Sequence, residues 1–254
     1  MLETALNAVL ADPWSDAARA AFARAVEPRD PARAELVTVQ LRLALARRRG
    51  ARGAREWRRD YARAQALLGA HEARWRPALS LADATLRFGR GFAEMIACTP
   101  AQLERHADAI RAAMPLLDLV LRGATAQDLG TPRFSGLRSL DLRRNQLDDA
   151  AAAALAASPH LGELRWLDLS GNRVGQAGLE ALAASPNLPA LQWLGFARNA
   201  APDPTPQVAE EQGVVHFVEL PQEGARLQAA HGPRAWLARP YPELADPDPE
   251  TYHR

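Results

Sequence analysis

The chain has 254 residues and a formal net charge of +1, from 31 basic and 30 acidic side chains, and every basic one is arginine. A hydrophobic share of 48% is too high for a disordered chain, and the near-zero charge argues against general binding to nucleic acid or membrane surfaces. Cys98 is the only cysteine, which excludes a disulfide framework and a cysteine-based metal site.

The N-terminal part of the chain predicts helices. Ser15 is placed to cap one helix, and Asp30-Pro31 begins another with proline at its first position. Apolar residues alternate from Val37 to Leu45, which would suit a strand, but the helix start at Asp30 and the flanking Ala, Arg and Gln residues favour a buried helix. A further long helix is expected over 56–79. We therefore predict a helical domain at 1–80.

Two elements precede the repeats described next. A glycine-containing turn separates two alternating runs within 85–98, which predicts a hairpin or an opening strand. Residues 100–114 form an amphipathic helical pattern. Its apolar face consists of Leu103, Ala107, Ile110 and Met114.

One pattern then occurs three times. LRSLDLRRN begins at Leu137, LRWLDLSGN at Leu164 and LQWLGFARN at Leu191. The pattern LxxLxLxxN and its spacing of 27 residues are typical of leucine-rich repeats, in which the leucines fill the core and the asparagine turns the chain off the strand. The structural asparagines are Asn145, Asn172 and Asn199. A degenerate unit with Leu116, Leu119 and Leu121 precedes them. We predict an α/β fold, a short leucine-rich-repeat solenoid shaped as a horseshoe, over 81–200.

The residues after the repeats are expected to close the solenoid. A proline-rich linker is followed by a predicted strand from Val214 to Leu220 and a short helix from Glu223 to Ala230. Trp236 and Tyr241 lie in a proline-containing tail that suggests an extended strap packed on the body. We predict that 201–254 forms a C-terminal cap and an acidic tail.

The chain resembles bacterial leucine-rich-repeat proteins that carry an N-terminal repeat-companion domain, with ribonuclease-inhibitor-like repeats. Besides the repeats, the resemblance depends on Asp12-Pro13, Asp16, Arg29-Asp30-Pro31, Glu35, Gln40, His71-Glu72, Trp75, Gly91-Phe92, Gly232-Pro233-Arg234 and Trp236-Leu237. Such proteins usually have Asp-Trp-Leu before Arg-Asp-Pro, where this chain has Ala25-Val26-Glu27. The resemblance implies the fold and leaves the biochemical role open.

The strand positions between the core leucines are predicted to face the open, concave side of the horseshoe. Alignment of the repeats produces three rows: Asp118, Ser139, Trp166 and Trp193; Val120, Asp141, Asp168 and Gly195; Arg122, Arg143, Ser170 and Ala197. Two tryptophans beside charged residues have the composition of a binding hot spot. The predicted partner-binding residues are Ser139, Asp141, Arg143, Trp166, Asp168 and Trp193. Two other interpretations stay open: the C-terminal segment covers the tryptophans, or the two rings form a cross-strand pair.

An arginine-rich run at 47–63 is the second candidate site. Arg52, Arg55, Arg59 and Arg63 could share one helix face and bind phosphates or an acidic partner. A solvated face, or pairing with the acidic tail, explains the same run without a ligand. Nucleic-acid binding is therefore an alternative function.

No catalytic residue, metal site or cofactor is predicted. His71-Glu72 lacks the second histidine of a zinc-protease motif, and no nucleophile elbow or phosphate-binding glycine loop occurs. With no secretory pattern and no membrane-length apolar stretch, we expect a soluble, cytoplasmic protein. The favoured function is a non-enzymatic adaptor or scaffold for a protein or peptide partner. A substrate-recognition subunit of a modifying enzyme is a further alternative.

Overall fold

The computed structural model describes residues 1–49, 55–77, 79, 84–206, 208–211, 214–217 and 220–238. The chain divides into two compact units. Among the described residues, the first contains Met1–Ile96 and His106–Leu117, and the second contains Ala97–Arg105 and residues 118–238. Strands β1 to β6 are hydrogen-bonded in chain order in a six-stranded sheet, and β7 and β8 form a separate pair.

The first unit begins with four helices. They are α1 (Leu2–Ala11), α2 (Asp16–Val26), α3 (Pro31–Arg48) and α4 (Arg55–Trp75). The Ser15 side chain accepts a hydrogen bond from Ala18 N at 3.1 Å, and Asp30 accepts one from Arg33 N at 3.0 Å. Both predicted caps are therefore confirmed, and the alternating stretch within α3 is helical. Burial in the tertiary structure favours the helix over a strand here, because Leu36, Val37 and Val39 are all buried in a core.

Strands β1 (Thr85–Gly89) and β2 (Phe92–Cys98) follow, joined by a two-residue turn. Arg90 has a φ of 44° and Gly91 a φ of 88°, as the tight turn of a hairpin requires, so the predicted hairpin is confirmed. A Cβ atom on Gly91 would lie 2.8 Å from the Val37 Cα atom. Only glycine allows this turn to approach α3 so closely. The apolar face of α5 (Pro100–Ala113) is buried as predicted.

The second unit contains the repeats. Its parallel strands are β3 (Asp118–Leu121), β4 (Ser139–Asp141), β5 (Trp166–Asp168) and β6 (Trp193–Gly195), with helices α6 (Asp149–Ala157) and α7 (Gln176–Ala184). Short 3-10 helices at Ala126–Asp128 and Pro132–Phe134 replace a full helix in the degenerate unit. One leucine at the centre of each strand enters the core: Leu119, Leu140, Leu167 and Leu194.

The repeat asparagines link one coil to the next, as the sequence predicts. The Asn172 amide nitrogen donates to the carbonyl oxygens of Leu142 and Leu169, at 2.9 and 2.8 Å. Its side-chain oxygen accepts from the backbone N–H of Asn145 and of Leu147. Each asparagine therefore satisfies backbone groups that the turn leaves without a ladder partner, which is a structural role.

The C-terminal part adds β7 (Val208–Glu211) and β8 (Val214–Phe217), which pair antiparallel, then α8 (Gln222–His231) and α9 (Ala235–Ala238). The predicted strand and helix are confirmed, and β7 is an addition that the proline-rich linker did not predict. Helix α8 contacts α7, where Arg226 forms an ion pair with Glu180 at 2.5 Å. Helix α9 contacts β6. Trp236, which the sequence assigns to an extended strap, lies instead in helix α9 and is buried, whereas Tyr241 and the acidic tail lie outside the described residues.

Candidate partner-binding face

The strand pairing aligns the predicted residues in rows. The first row is Asp118, Ser139, Trp166 and Trp193, and the second is Val120, Asp141, Asp168 and Gly195. The register is therefore as the sequence predicts. Because alternate residues of a strand point to opposite sides, these rows lie opposite the core leucines. We call this surface the strand face.

The two tryptophans of the strand face form a cross-strand pair. Their ring centroids are 5.1 Å apart, with the ring planes inclined by 36°. Trp166 is 5% exposed, whereas Trp193 is half-buried. The two exposed tryptophans that the sequence suggests are thus one buried ring and one partly accessible ring. The Trp166 Nε1 atom is also buried, and no residue in the described part of the chain accepts its hydrogen bond.

Two carboxylates and one guanidinium lie next to the tryptophan pair. Arg143 donates to Asp141 from Nε at 3.0 Å and from Nη2 at 2.7 Å, and its Nε is 3.3 Å from an oxygen of Asp168. The Arg143 side chain is about one third exposed, whereas both aspartates are buried. Arg143 therefore covers a pair of buried acids and presents its outer part to solvent.

Asp168 is the less well neutralised of the two acids. Burial raises its pKa above the ordinary value of an aspartate, and the nearby negative charge of Asp141 raises it further. Hydrogen bonds from Ser170 and the charge of Arg143 act in the opposite direction, since they stabilise the ionised form. The net rise means that Asp168 lies in an environment unfavourable to its negative charge.

Gly195 stands where the two preceding repeats have aspartate. A Cβ atom at this position would lie 2.4 Å from Oδ1 of Asp168 and 2.6 Å from the Trp193 ring. The absence of a side chain therefore lets the Asp168 carboxylate and the Trp193 ring come together. The sequence places Gly195 in the row, but only the structure shows this role.

A buried ion pair that the sequence does not predict adjoins the same face. Arg138 donates from Nε to Asp118 at 3.0 Å, and its Nη2 forms a second, shorter contact with the same carboxylate. Both side chains are almost fully buried. Ser139, between Arg138 and the core leucine of β4, is also buried at 2% exposure. The two partners are 20 residues apart in different coils, so no local sequence pattern signals this pairing.

The arginine-rich run is only partly available to a ligand. Arg63 donates from both Nε and Nη2 to Glu35 at 2.6 Å, and these hydrogen bonds lower the pKa of Glu35. Arg55 and Arg59 are exposed, whereas Arg52 lies outside the described residues. Of the four predicted anion-binding residues, Arg63 is therefore engaged by Glu35, and the grouping of all four stays a prediction.

Residues that carry the family resemblance meet inside the first unit. Asp30 accepts from the Trp75 indole at 2.8 Å, and Gln40 accepts from Gly91 N at 2.6 Å. Arg33 is enclosed by three aromatic rings at 5.1 to 5.3 Å, and burial lowers its pKa to about 10. The motif residues thus connect α3, α4 and the hairpin. A structural role in holding these elements together is enough to explain why the motif contains them.

The single cysteine and the metal-ligating side chains of the described residues can be assessed directly. Cys98 is buried, and burial raises the pKa of its thiol to about 11, which keeps it protonated at neutral pH. No group of three or more metal-ligating side chains occurs among the residues whose positions are described. Within the same ranges, none of the helices is long and apolar enough to span a membrane.

Comparison with protein-family models identifies two of the repeats. Residues 137–156 and 164–183 match the model of the leucine-rich repeat. No curated protein and no solved structure matches the chain. The chain therefore contains leucine-rich repeats, in a mixed α/β fold with a six-stranded sheet.

Proposed function

We propose that this chain is a non-enzymatic module that binds a protein or peptide through the strand face of its leucine-rich repeats. Leucine-rich repeats commonly bind protein partners, and repeat proteins present an extended surface for this purpose. The observation that carries the proposal is the combination of Trp193, partly accessible, with the buried acids Asp141 and Asp168 under Arg143. An aromatic anchor beside charged groups is the usual composition of a hot spot.

The proposal includes an architecture. The repeats at 81–200 would form a short horseshoe with the strand face on its concave side, preceded by a helical companion domain at 1–80. Residues 201–254 would cap the last coil. We further propose an adaptor that acts in the bacterial cytoplasm, which the single, buried Cys98 supports because it suits a reducing compartment.

The test is affinity capture from the native cell followed by mass spectrometry, with Trp193→Ala compared with the unmodified chain. A tryptophan at the centre of an interface contributes about 2 kcal/mol or more, so we expect roughly a 30-fold loss of affinity for the captured partner. Trp166→Ala is unsuitable because removal of a buried ring costs about 3–5 kcal/mol of stability.

Trp57→Ala is the matched control. Trp57 is also half-buried, but it stacks on Tyr61 in α4, far along the chain from the strand face. The control is expected to retain the partner. Equal recovery of the same partner by Trp193→Ala and by the unmodified chain would exclude the strand face as the binding site.

A further inference from the structure

A groove runs along the surface of the first unit between α2 and α3. Its volume is about 790 Å³, and every described residue that lines it belongs to these two helices or to the turn that joins them. Each helix contributes one stripe of residues spaced three or four apart, which on α3 includes Ala34, Leu41 and Leu45. We call this surface the α2–α3 groove.

The floor of the α2–α3 groove is apolar. Ala17, Ala20 and Ala23 line it from α2, and such small side chains let a neighbouring helix approach closely. Leu45, on the α3 side, is 40% exposed, and apart from Met1 it is the only exposed large hydrophobic side chain among the described residues. A partner that removes this surface from water would therefore gain hydrophobic free energy.

The charges along the groove specify what the partner must carry. Four of the six charged side chains among the described lining residues are paired within the chain. The pairs are Arg48–Asp16 at 2.6 Å, Arg42–Asp60 at 2.7 Å and Arg63–Glu35 at 2.6 Å. Arg24 and Glu27, both exposed, form no ion pair with another described residue. A complementary partner therefore has an acidic side chain opposite Arg24 and a basic one opposite Glu27.

An α-helix suits this surface better than an extended segment. Both walls of the groove are helices, so no strand edge is available to an extended segment, whose backbone N–H and C=O groups would lie on an apolar floor without partners. A helix satisfies these groups internally and places the side chains of one face into such a groove.

The concave shape of the groove also argues against a second copy of the chain as the occupant. In a two-fold contact the same patch faces itself, so two grooves would meet and leave a void between them. Atoms that line a void lose their packing contacts. The convex surface of a helix from a different protein fills the groove instead.

We propose that the α2–α3 groove binds an amphipathic helix of a partner protein. The apolar side chains of that helix lie on Leu41 and Leu45, and its charged side chains lie opposite Arg24 and Glu27. This site is additional to the strand face and does not rest on the proposed function. A chain that binds one partner at each surface would join the two.

The proposal is tested with helical peptides selected by phage display against the full chain. The library carries leucines along one face of a helix of about five turns, and all its other positions are randomised. The selected peptides are the probes, and fluorescence anisotropy measures their affinity. Ala17→Trp puts a large ring into the groove and should weaken binding by about 10-fold or more. Ala11→Trp is the matched control, because Ala11 is an exposed alanine of α1 that does not line the groove.

The charge arrangement is tested by exchanging it. Selection against the unmodified chain should enrich an acidic and a basic residue about one helical turn apart in the peptide, opposite Arg24 and Glu27. Selection against a chain with Arg24→Glu and Glu27→Arg should enrich the same two positions with their charges exchanged. Arg29→Glu is the control, since Arg29 is exposed but does not line the groove, and it should leave the preference unchanged.

Three results would overturn the proposal. The first is a selection that enriches no peptide, or enriches peptides that bind Ala17→Trp as tightly as the unmodified chain. The second is a charge preference that does not change when Arg24 and Glu27 are exchanged. The third is a concentration-dependent dimer that Ala17→Trp dissociates in analytical ultracentrifugation, because the occupant would then be a second copy.

The groove and the strand face can fail separately. Trp193→Ala should retain the selected peptides, because Trp193 lies in the second unit and does not line the groove. Peptides that are lost with Trp193→Ala and kept by Ala17→Trp would place binding at the strand face and overturn the groove proposal alone. Peptides that depend on Ala17 leave the test of the strand face, partner capture with Trp193→Ala, unaffected.

Discussion

The two units each contain a buried cluster of charged side chains, and the clusters differ in their balance. In the first unit, Arg19 contacts Glu94 at 2.7 Å, and Arg90 contacts both Glu94 and Asp16 at 3.1 Å. Arg48 also contacts Asp16, at 2.6 Å, so three guanidiniums meet two carboxylates. In the second unit, Asp141 and Asp168 meet only one guanidinium among the described residues, that of Arg143.

The difference separates a structural cluster from a candidate binding site. Arg19 and Arg90 also donate to the backbone carbonyl oxygen of Pro13, so the first cluster fixes the loop before α2 against the hairpin. Each of its two carboxylates meets two guanidiniums. In the second cluster, the two carboxylates share a single guanidinium among the described residues and lie beside a partly accessible aromatic ring.

The largest loss of stability is expected from breaking the Arg19 cluster of the first unit. Arg19→Ala leaves Glu94 buried with one guanidinium fewer, and breaking a buried ion pair costs about 3–5 kcal/mol in the free energy of unfolding. Urea unfolding measures it. Arg24→Ala, at an exposed position of the same helix, should change the free energy by less than about 0.5 kcal/mol. Equal results for the two variants would show that the Arg19 cluster does not stabilise the first unit.

An intermediate loss of stability is expected from a substitution at Gly195, which lies against Asp168 and Trp193 in the second cluster. Gly195→Ala places a methyl group 2.4 Å from the Asp168 carboxylate, so we expect a loss of about 1–3 kcal/mol from overpacking. Thermal or urea unfolding measures this loss. Gly162→Ala is the matched control, because a Cβ atom there meets nothing within 4 Å. A Gly195→Ala variant as stable as the control would contradict the close approach of Asp168 and Trp193.

The smallest change in the free energy of unfolding is expected from Asp168→Asn. An increase in stability would show that the Asp168 charge is poorly neutralised, in contrast to the carboxylates of the first cluster. Since folding raises the pKa of Asp168, the protonated form stabilises the fold, and this contribution is lost as pH rises from the ordinary aspartate pKa through the raised one. The asparagine variant should therefore be more stable than the unmodified chain at neutral pH. At a pH below the ordinary value the difference should disappear.

Unfolding curves at several pH values measure the contribution of Asp168 as the difference between the two proteins, which removes the titration of other groups. A variant that is less stable at neutral pH would show that the Asp168 charge is well neutralised. The contrast with the well-neutralised carboxylates of the first unit would then no longer hold.

Much of the fold was predictable because it depends on local patterns. The 27-residue spacing of Asn145, Asn172 and Asn199 predicted the strand register, since identical coils must stack with identical residues side by side. Ser15 and Asp30 predicted helix starts for the same local reason. The Arg138–Asp118 pair was not predictable, because its partners are 20 residues apart and belong to different coils.

The candidate site shows the same division. The amino-acid sequence by itself determined which residues share the strand face, because the side-chain period of a strand is two and the repeats are in register. Only the tertiary structure decided that Trp166 is buried while Trp193 is partly accessible, that Arg143 bridges two acids, and that Arg63 is paired with Glu35. Burial and ion pairing depend on which other segments approach a side chain, and that information is not contained in the local pattern.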